Sequence, residues 1–157
     1  MLRPAEEADE PFLLELYKLV RAPEFAPVPL PPEQLDMLLT MQYSARTGSY
    51  RASYPESHNC VVMSGETPIG QLWVDRSTAG IRVIDIALMP GHRSSGVGTA
   101  LLKDLIAEAE KAGTPLTCSV ATNNPGSLRF HRRLGFEVIS EDPMYYELAY
   151  RGSGAGG

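Results

Sequence analysis

The stretch from Val83 to Ala112 constrains this chain more than any other. An apolar strand signal over Ile84 to Met89 runs into a turn containing Arg93-Ser94-Ser95-Gly96-Val97-Gly98. A long amphipathic helix follows, with Leu101, Leu102, Leu105, Ile106 and Ala109 at helical spacing, and Gly113 and Pro115 supply its stop. A strand feeding a glycine-rich turn that opens a helix presents unpaired backbone N–H groups and the positive end of the helix dipole to an anion. The two glycines keep a bulky Cβ away from that anion and tolerate unusual backbone angles. No Lys-Ser/Thr pair follows the second glycine and no third glycine completes a dinucleotide fingerprint, so nucleotide-hydrolase and Rossmann readings drop out. A pyrophosphate cradle and a strand-turn-helix connection whose glycines serve only tight packing remain.

A chain of 157 residues, 43% hydrophobic, suits one domain with a proper core, expected over residues 1–151. Residues 152–157, Gly-Ser-Gly-Ala-Gly-Gly, read as a flexible tail. No apolar run approaches the roughly 18 residues that cross a bilayer, and Arg3, Glu6 and Glu7 do not make a secretory signal, so no membrane partner and a cytoplasmic location are expected. Cys60 and Cys118 fall in strand signals without metal-ligand spacing, which suggests reduced core residues and no metal. The net charge of −5 and the lack of basic runs give nucleic acid little reason to bind. A cationic or amine substrate suits this surface better.

Asp9 and Pro11 open a first helix with Phe12, Leu13, Leu16, Leu19 and Val20 on one face, ending before Pro23. A proline-dense stretch follows, and a second helix is predicted from about Pro32 to Arg46. Val61–Met63 and Ile69–Val74 read as a hairpin turning at Ser64-Gly65-Glu66. Ile81–Met89, Leu116–Val120, Phe136–Ile139 and Met144–Tyr150 read as further strands. Hairpins first and strand-helix-strand later predict a mixed sheet.

At these residues the chain resembles the GNAT family of acyl-CoA-dependent N-acyltransferases, whose turn reads Gln/Arg-x-x-Gly-x-Gly/Ala after a strand. Leu2-Arg3-Pro4-Ala5 is similar to the family's opening strand, Asp85-Ile86-Ala87-Leu88 to its central strand, and Asn124 through Leu134-Gly135-Phe136 to its late helix and following strand. The resemblance implies an α/β (α+β) fold: a mixed, mostly antiparallel sheet of about six to seven strands flanked by about four helices. It implies acetyl-CoA as cofactor and a small-molecule or peptide amine as acceptor, with a homodimer left open. The cofactor would be held by Arg93, Ser94, Ser95, Gly96, Val97, Gly98 and Thr99 in the cradle, by the main chain of Ile86 and Leu88 along the pantetheine arm, and by Asn124.

Acyl transfer to an amine needs an uncharged nucleophile, a stabilised oxyanion and a proton for the departing thiolate. Asp85 interrupts an apolar strand and needs a partner or a purpose. It either binds the amine and helps take its proton, as in some relatives, or is paired with an arginine or faces solvent. Seven residues after Asn124 many relatives carry a tyrosine that protonates the thiolate, whereas this chain has His131. On spacing alone His131 is a core histidine; the resemblance makes it the general acid, active as imidazolium and so losing its donating form across neutral pH. Several relatives place Glu just before the Val of a Val-x-x-x-Asn stretch, where this chain has Ser119, which accepts no proton at neutral pH. A base would then be Asp85, Glu56, His58 or a water chain, and an amine already partly neutral needs none. The segment Met41 to His58, read as a loop, carries Tyr43, Tyr50, Tyr54, Glu56 and His58, which either enclose an amine or pack the loop. The rival to an enzyme is an acyl-CoA-binding module that lost turnover. Cys118 as an acylated nucleophile is disfavoured because no base adjoins it in sequence.

Overall fold

Alternation along the strands decides which side chains are buried, and the sheet is built accordingly. The computed structural model describes residues 1–28, 30–93 and 95–152, so Ser94 of the cradle and most of the glycine-rich tail lie outside the described residues. Strands β1 (Leu2–Pro4), β2 (His58–Ser64), β3 (Thr67–Ser77), β4 (Gly80–Leu88), β5 (Leu116–Ala121), β6 (Phe136–Glu141) and β7 (Tyr145–Tyr150) form a sheet in the order β1-β2-β3-β4-β5-β7-β6. Strands β4 and β5 are parallel, while β1 with β2, β5 with β7 and β6 with β7 are antiparallel. Among the described residues the α-helices are α1 (Glu10–Arg21), α2 (Pro32–Ser53), α3 (Val97–Ala112) and α4 (Pro125–Arg133). This is the mixed, mostly antiparallel architecture expected from the sequence.

The chain groups into two units: Met1–Trp73 with Asp85–Gly98, and Val74–Ile84 with the chain from Thr99 onward. In the first unit α1 has a proline in its opening turn and Lys18 and Arg21 in its last, where a cation complements the helix dipole. Its Leu13 and Tyr17 meet Leu39 and Tyr43 of α2 and Val61 of β2 in one buried cluster. Each such side chain contributes about 1.5–3 kcal/mol of apolar transfer. Gly65, with φ of +61°, makes the β2–β3 turn. Gly70 lets β3 approach β4 closely: a Cβ there would lie 2.5 Å from the Ala87 carbonyl oxygen and 2.6 Å from a Leu88 methyl carbon.

The second helix corrects the sequence reading. Instead of ending at Arg46 it runs to Ser53, and the Tyr54 amide closes it on the Tyr50 carbonyl at 2.8 Å. The expected loop from Met41 to His58 therefore shrinks to residues 54–57. Ser44, Thr47, Gly48 and Ser49 are weak helix formers, but Leu39, Tyr43 and Thr47, spaced four apart, are all buried. Packing of that stripe overrides local preference.

In the second unit α3 buries Leu102, Leu105, Ile106 and Ala109, and β5 alternates buried Leu116, Cys118 and Val120 with outward Thr117 and Ser119. Gly113, φ +68°, stops α3, with the Thr114 amide bonded to the Ala109 carbonyl. Strand β7 sets Glu147 directly across from Ser119 and Leu148 across from Cys118.

Candidate active site

In the first unit β4 ends at Leu88 and a short 3-10 turn, Pro90–His92, leads toward α3. The Ser95 hydroxyl donates to the His92 carbonyl at 2.7 Å, and Arg93 Nε reaches the Leu88 carbonyl at 3.4 Å. Gly96 has φ of +85°, and an ideal Cβ on it would meet, its chain neighbours aside, no atom of the described residues within 4 Å. The turn therefore needs glycine for its backbone angle and leaves open space beside it. Helix α3 starts at Val97, so the amides of Val97 and Gly98, and of Thr99 one residue on, belong to the first helical turn, where no carbonyl of the same helix reaches them. Open space beside such amides suits a diphosphate.

Upstream on β4, Asp85 Oδ2 accepts a 2.9 Å hydrogen bond from Arg46 Nη1 of α2. The Arg46 guanidinium lies 4.6 Å from the Tyr17 ring centroid, 5.4 Å from Tyr50 and 5.8 Å from Tyr43. Burial opposes its charge most strongly, but the Asp85 charge and hydrogen bond, with smaller contributions from Tyr50 and Tyr17, together raise the Arg46 pKa above its ordinary value. Among the described residues no other hydrogen bond reaches the Asp85 carboxylate. Arg46 was missed in the sequence because its partner is 39 residues away. The available signal was its place between Tyr43 and Tyr50, three and four residues off, visible once α2 is known to continue.

The aromatic residues expected around an acceptor take different environments. Tyr43 is buried and its hydroxyl donates to Glu10 Oε2 at 2.8 Å; burial, with that bond, pushes the phenol up to about 12. Tyr50 packs edge-on to Trp73 at 5.4 Å. Tyr54 and His58, with Glu6, Glu10, Ser57 and Trp73, line a cavity of about 680 Å³, and Glu56 is exposed nearby in the chain.

In the second unit Asn124 caps α4, its Oδ1 accepting from the Ser127 amide at 3.1 Å, with Pro125 in the first turn. His131 is 4% exposed, and its ring meets Phe130 and Phe136 edge-on at 5.3 and 5.4 Å. Its Nδ1 lies 2.8 Å from the Ser127 carbonyl, which can only accept, so Nδ1 carries the hydrogen. Burial lowers the His131 pKa, and the Ser127 bond offsets this in part. Ser119 donates to Glu147 Oε1 at 2.9 Å and accepts from Arg82 Nη2 at 2.7 Å, while Arg82 Nη1 meets Glu147 Oε2 at 2.7 Å. A carboxylate thus faces Ser119 from the neighbouring strand, already paired with a guanidinium. Cys118 is buried, and burial pushes its thiol up to about 12, so the thiolate needed by a nucleophile does not form near neutral pH. Among the described residues no group of three His, Cys, Asp or Glu could hold a metal ion, and no helix is long and apolar enough to cross a membrane.

The chain matches the model of the acetyltransferase (GNAT) family over residues 13–136, and it belongs to that family, whose coenzyme is acetyl-CoA. It is 33% identical over 87 residues to an L-methionine sulfoximine/L-methionine sulfone acetyltransferase of Salmonella typhimurium, covering 53% of this chain and 49% of that protein. It is 27% identical over 67 residues to the probable N-acetyltransferase san of Drosophila melanogaster, covering 41% of this chain and 36% of that protein. These matches span less than half the length of either relative. The fold is similar to a PaiA N-acetyltransferase of Thermoplasma acidophilum solved with coenzyme A, at TM-score 0.73 and 16% identity over 96% of this chain and 98% of that one. It is also similar to an acetyltransferase of Thermus thermophilus, at TM-score 0.68 and 19% identity over 97% and 96% of the two chains.

Proposed function

We propose that this chain moves an acetyl group from acetyl-CoA to a primary amine by direct transfer in a ternary complex. The observation that carries the proposal is the turn before α3: open at Gly96, glycine-dependent through its positive φ, and headed by first-turn amides in a chain of this family. When bound, acetyl-CoA supplies a thioester carbonyl activated toward amines. Main-chain amides of Gly96 to Thr99, with Arg93, Ser94 and Ser95, would hold the diphosphate; the main chain of Ile86 and Leu88 would align the pantetheine arm; and Asn124 would contact the coenzyme while capping α4. Asp85 accepts a hydrogen bond from the incoming amine. Tyr50, Tyr54, Glu56 and His58, with Tyr43 behind them, contribute to acceptor recognition.

His131 stands at the family's proton-donor position. Because Nδ1 is committed to Ser127, a proton for the thiolate comes from Nε2 of the imidazolium form, which the lowered pKa confines to the acid side. A second reading rests on the same burial: a neutral ring wedged between Phe130 and Phe136 is what a core histidine needs. The transferase proposal is tested by release of free coenzyme A thiol over a panel of primary amines, with calorimetry of acetyl-CoA binding beside it. Thiol release that depends on amine supports it. Acetyl-CoA binding with no release on any amine would leave a binding module, the reading that Ser119 and His131 in place of the family's Glu and Tyr otherwise favour.

A further inference from the structure

The pair of Arg46 and Asp85 has a consequence for the acceptor. Asp85 is the carboxylate on the central strand, with a side chain 21% exposed, while Arg46 is 11% exposed. The guanidinium is held on the faces of Tyr17 from α1 and Tyr43 and Tyr50 from α2. Among the described residues its Nε is buried without a hydrogen-bond partner, and its attachments there are the tyrosine rings and Asp85. Glu10 of α1, a further carboxylate in this network, is engaged by the Tyr43 hydroxyl and by Arg51.

A carboxylate whose charge is cancelled by a fixed guanidinium gives an arriving ammonium little Coulomb attraction. Moving the ammonium's proton onto Asp85 would leave the Arg46 charge buried without its partner, which is costly. Among the described residues Asp85 Oδ1 accepts no hydrogen bond, so its lone pairs are not committed to Arg46. The same cancellation recurs in the second unit, where Glu147, across from Ser119, is bonded at both oxygens by Arg82.

We propose that Arg46 sets the form in which the acceptor is taken: by neutralising Asp85 it makes the chain accept a free, uncharged amine, and so favours weakly basic α-amino groups over alkylammonium groups such as lysine side chains or polyamines. This rests on the transferase reading above. Between pH 7 and 7.5 an α-amino group, with an ordinary pKa of about 8, is uncharged to the extent of about a tenth to a quarter, whereas a lysine ammonium, about 10.4, is uncharged to the extent of about one part in a thousand.

The test measures kcat/KM against pH from 6.5 to 10 with acetyl-CoA and two acceptors, glycinamide and the side-chain amine of N-acetyl-lysine methyl ester. The rising limb is expected to follow each acceptor's own ionisation, with glycinamide favoured about tenfold or more at pH 7.5. A limb at the same pH for both acceptors would overturn the proposal, because a group of the protein would then be taking the proton. Arg46→Gln, which leaves Asp85 charged and unpaired, should raise the lysine-to-glycinamide ratio of kcat/KM about tenfold, and Asp85→Asn, which leaves the guanidinium uncompensated, should lower it. A ratio unmoved in folded variants would also overturn the proposal; if the variants do not fold, the comparison of limbs decides. Acetyl-CoA binding with no thiol release on either acceptor or on any amine of the panel above would overturn the transferase reading itself, and this one with it.

Discussion

Burial holds the His131 pKa below its ordinary 6.5, so two pH effects follow from one side chain. The folded state disfavours the imidazolium, and stability present above pH 6.5 is therefore lost as pH falls below it. As proton donor, the same group loses its active form as pH rises through its lowered pKa. His131→Phe is expected to cut kcat about a hundredfold near pH 6 with little change in KM, and to flatten the stability profile between pH 5 and 7. Steady-state rates and denaturant melts across that range check both, and an unchanged rate profile would leave His131 a packing residue. Asp9 gives a second titration. Arg3 bonds both its oxygens at 2.7 and 2.8 Å and the Glu6 amide adds a third bond, bringing Asp9 down to about 2. The folded value lies below the ordinary 3.8, so this contribution is complete above pH 4 and lost as pH falls toward 2. Asp9→Asn should be less stable than the parent at pH 5, with the difference vanishing near pH 2 in denaturant titrations.

Helix α2 shows what local preference hides. Gly48 sits in its interior with open space around the position of a Cβ, so Gly48→Ala is expected to stabilise the fold by about 1 kcal/mol, or about 2–4 °C. Were this stretch an irregular loop, no such gain would appear in a thermal melt. Gly70 behaves oppositely. Its Cβ would strike the Ala87 carbonyl, a backbone atom that cannot swing aside, and Gly70→Ala should cost about 1–3 kcal/mol. Ala87 lies between Ile86 and Leu88, so calorimetry of the same variant should also show weaker acetyl-CoA binding. Elements with a strong repeat and a stop, such as α3 up to Gly113 and α4 behind Asn124-Pro125, were legible in the sequence. The C-terminal half of α2 was not, because its helical register is written in residues that favour turns until Tyr43 and Thr47 are buried.

For the whole chain, a ligand bound only by the folded state stabilises it by mass action. Acetyl-CoA at a hundred times its dissociation constant should add about 2.7 kcal/mol, a rise in Tm of about 5–10 °C. Gly96→Val, which forces a branched side chain to a φ of +85° and fills the open space of the turn, should abolish most of that rise. The glycine turn before α3, the strand carrying Asp85 and the cap at Asn124 could all be read from the chain itself, because each is set by residues within a few positions: period, glycine angle, side-chain cap. Nothing local told which neighbours those residues would meet. Arg46 finds Asp85 across 39 positions and Arg82 finds Glu147 across 65, while β7 inserts between β5 and β6. Charge pairing and strand order depend on which buried surfaces close together, and that is a property of the folded chain as a whole. The residue types of the candidate site were therefore written in the sequence, and the pairing of its charges was decided only by tertiary packing.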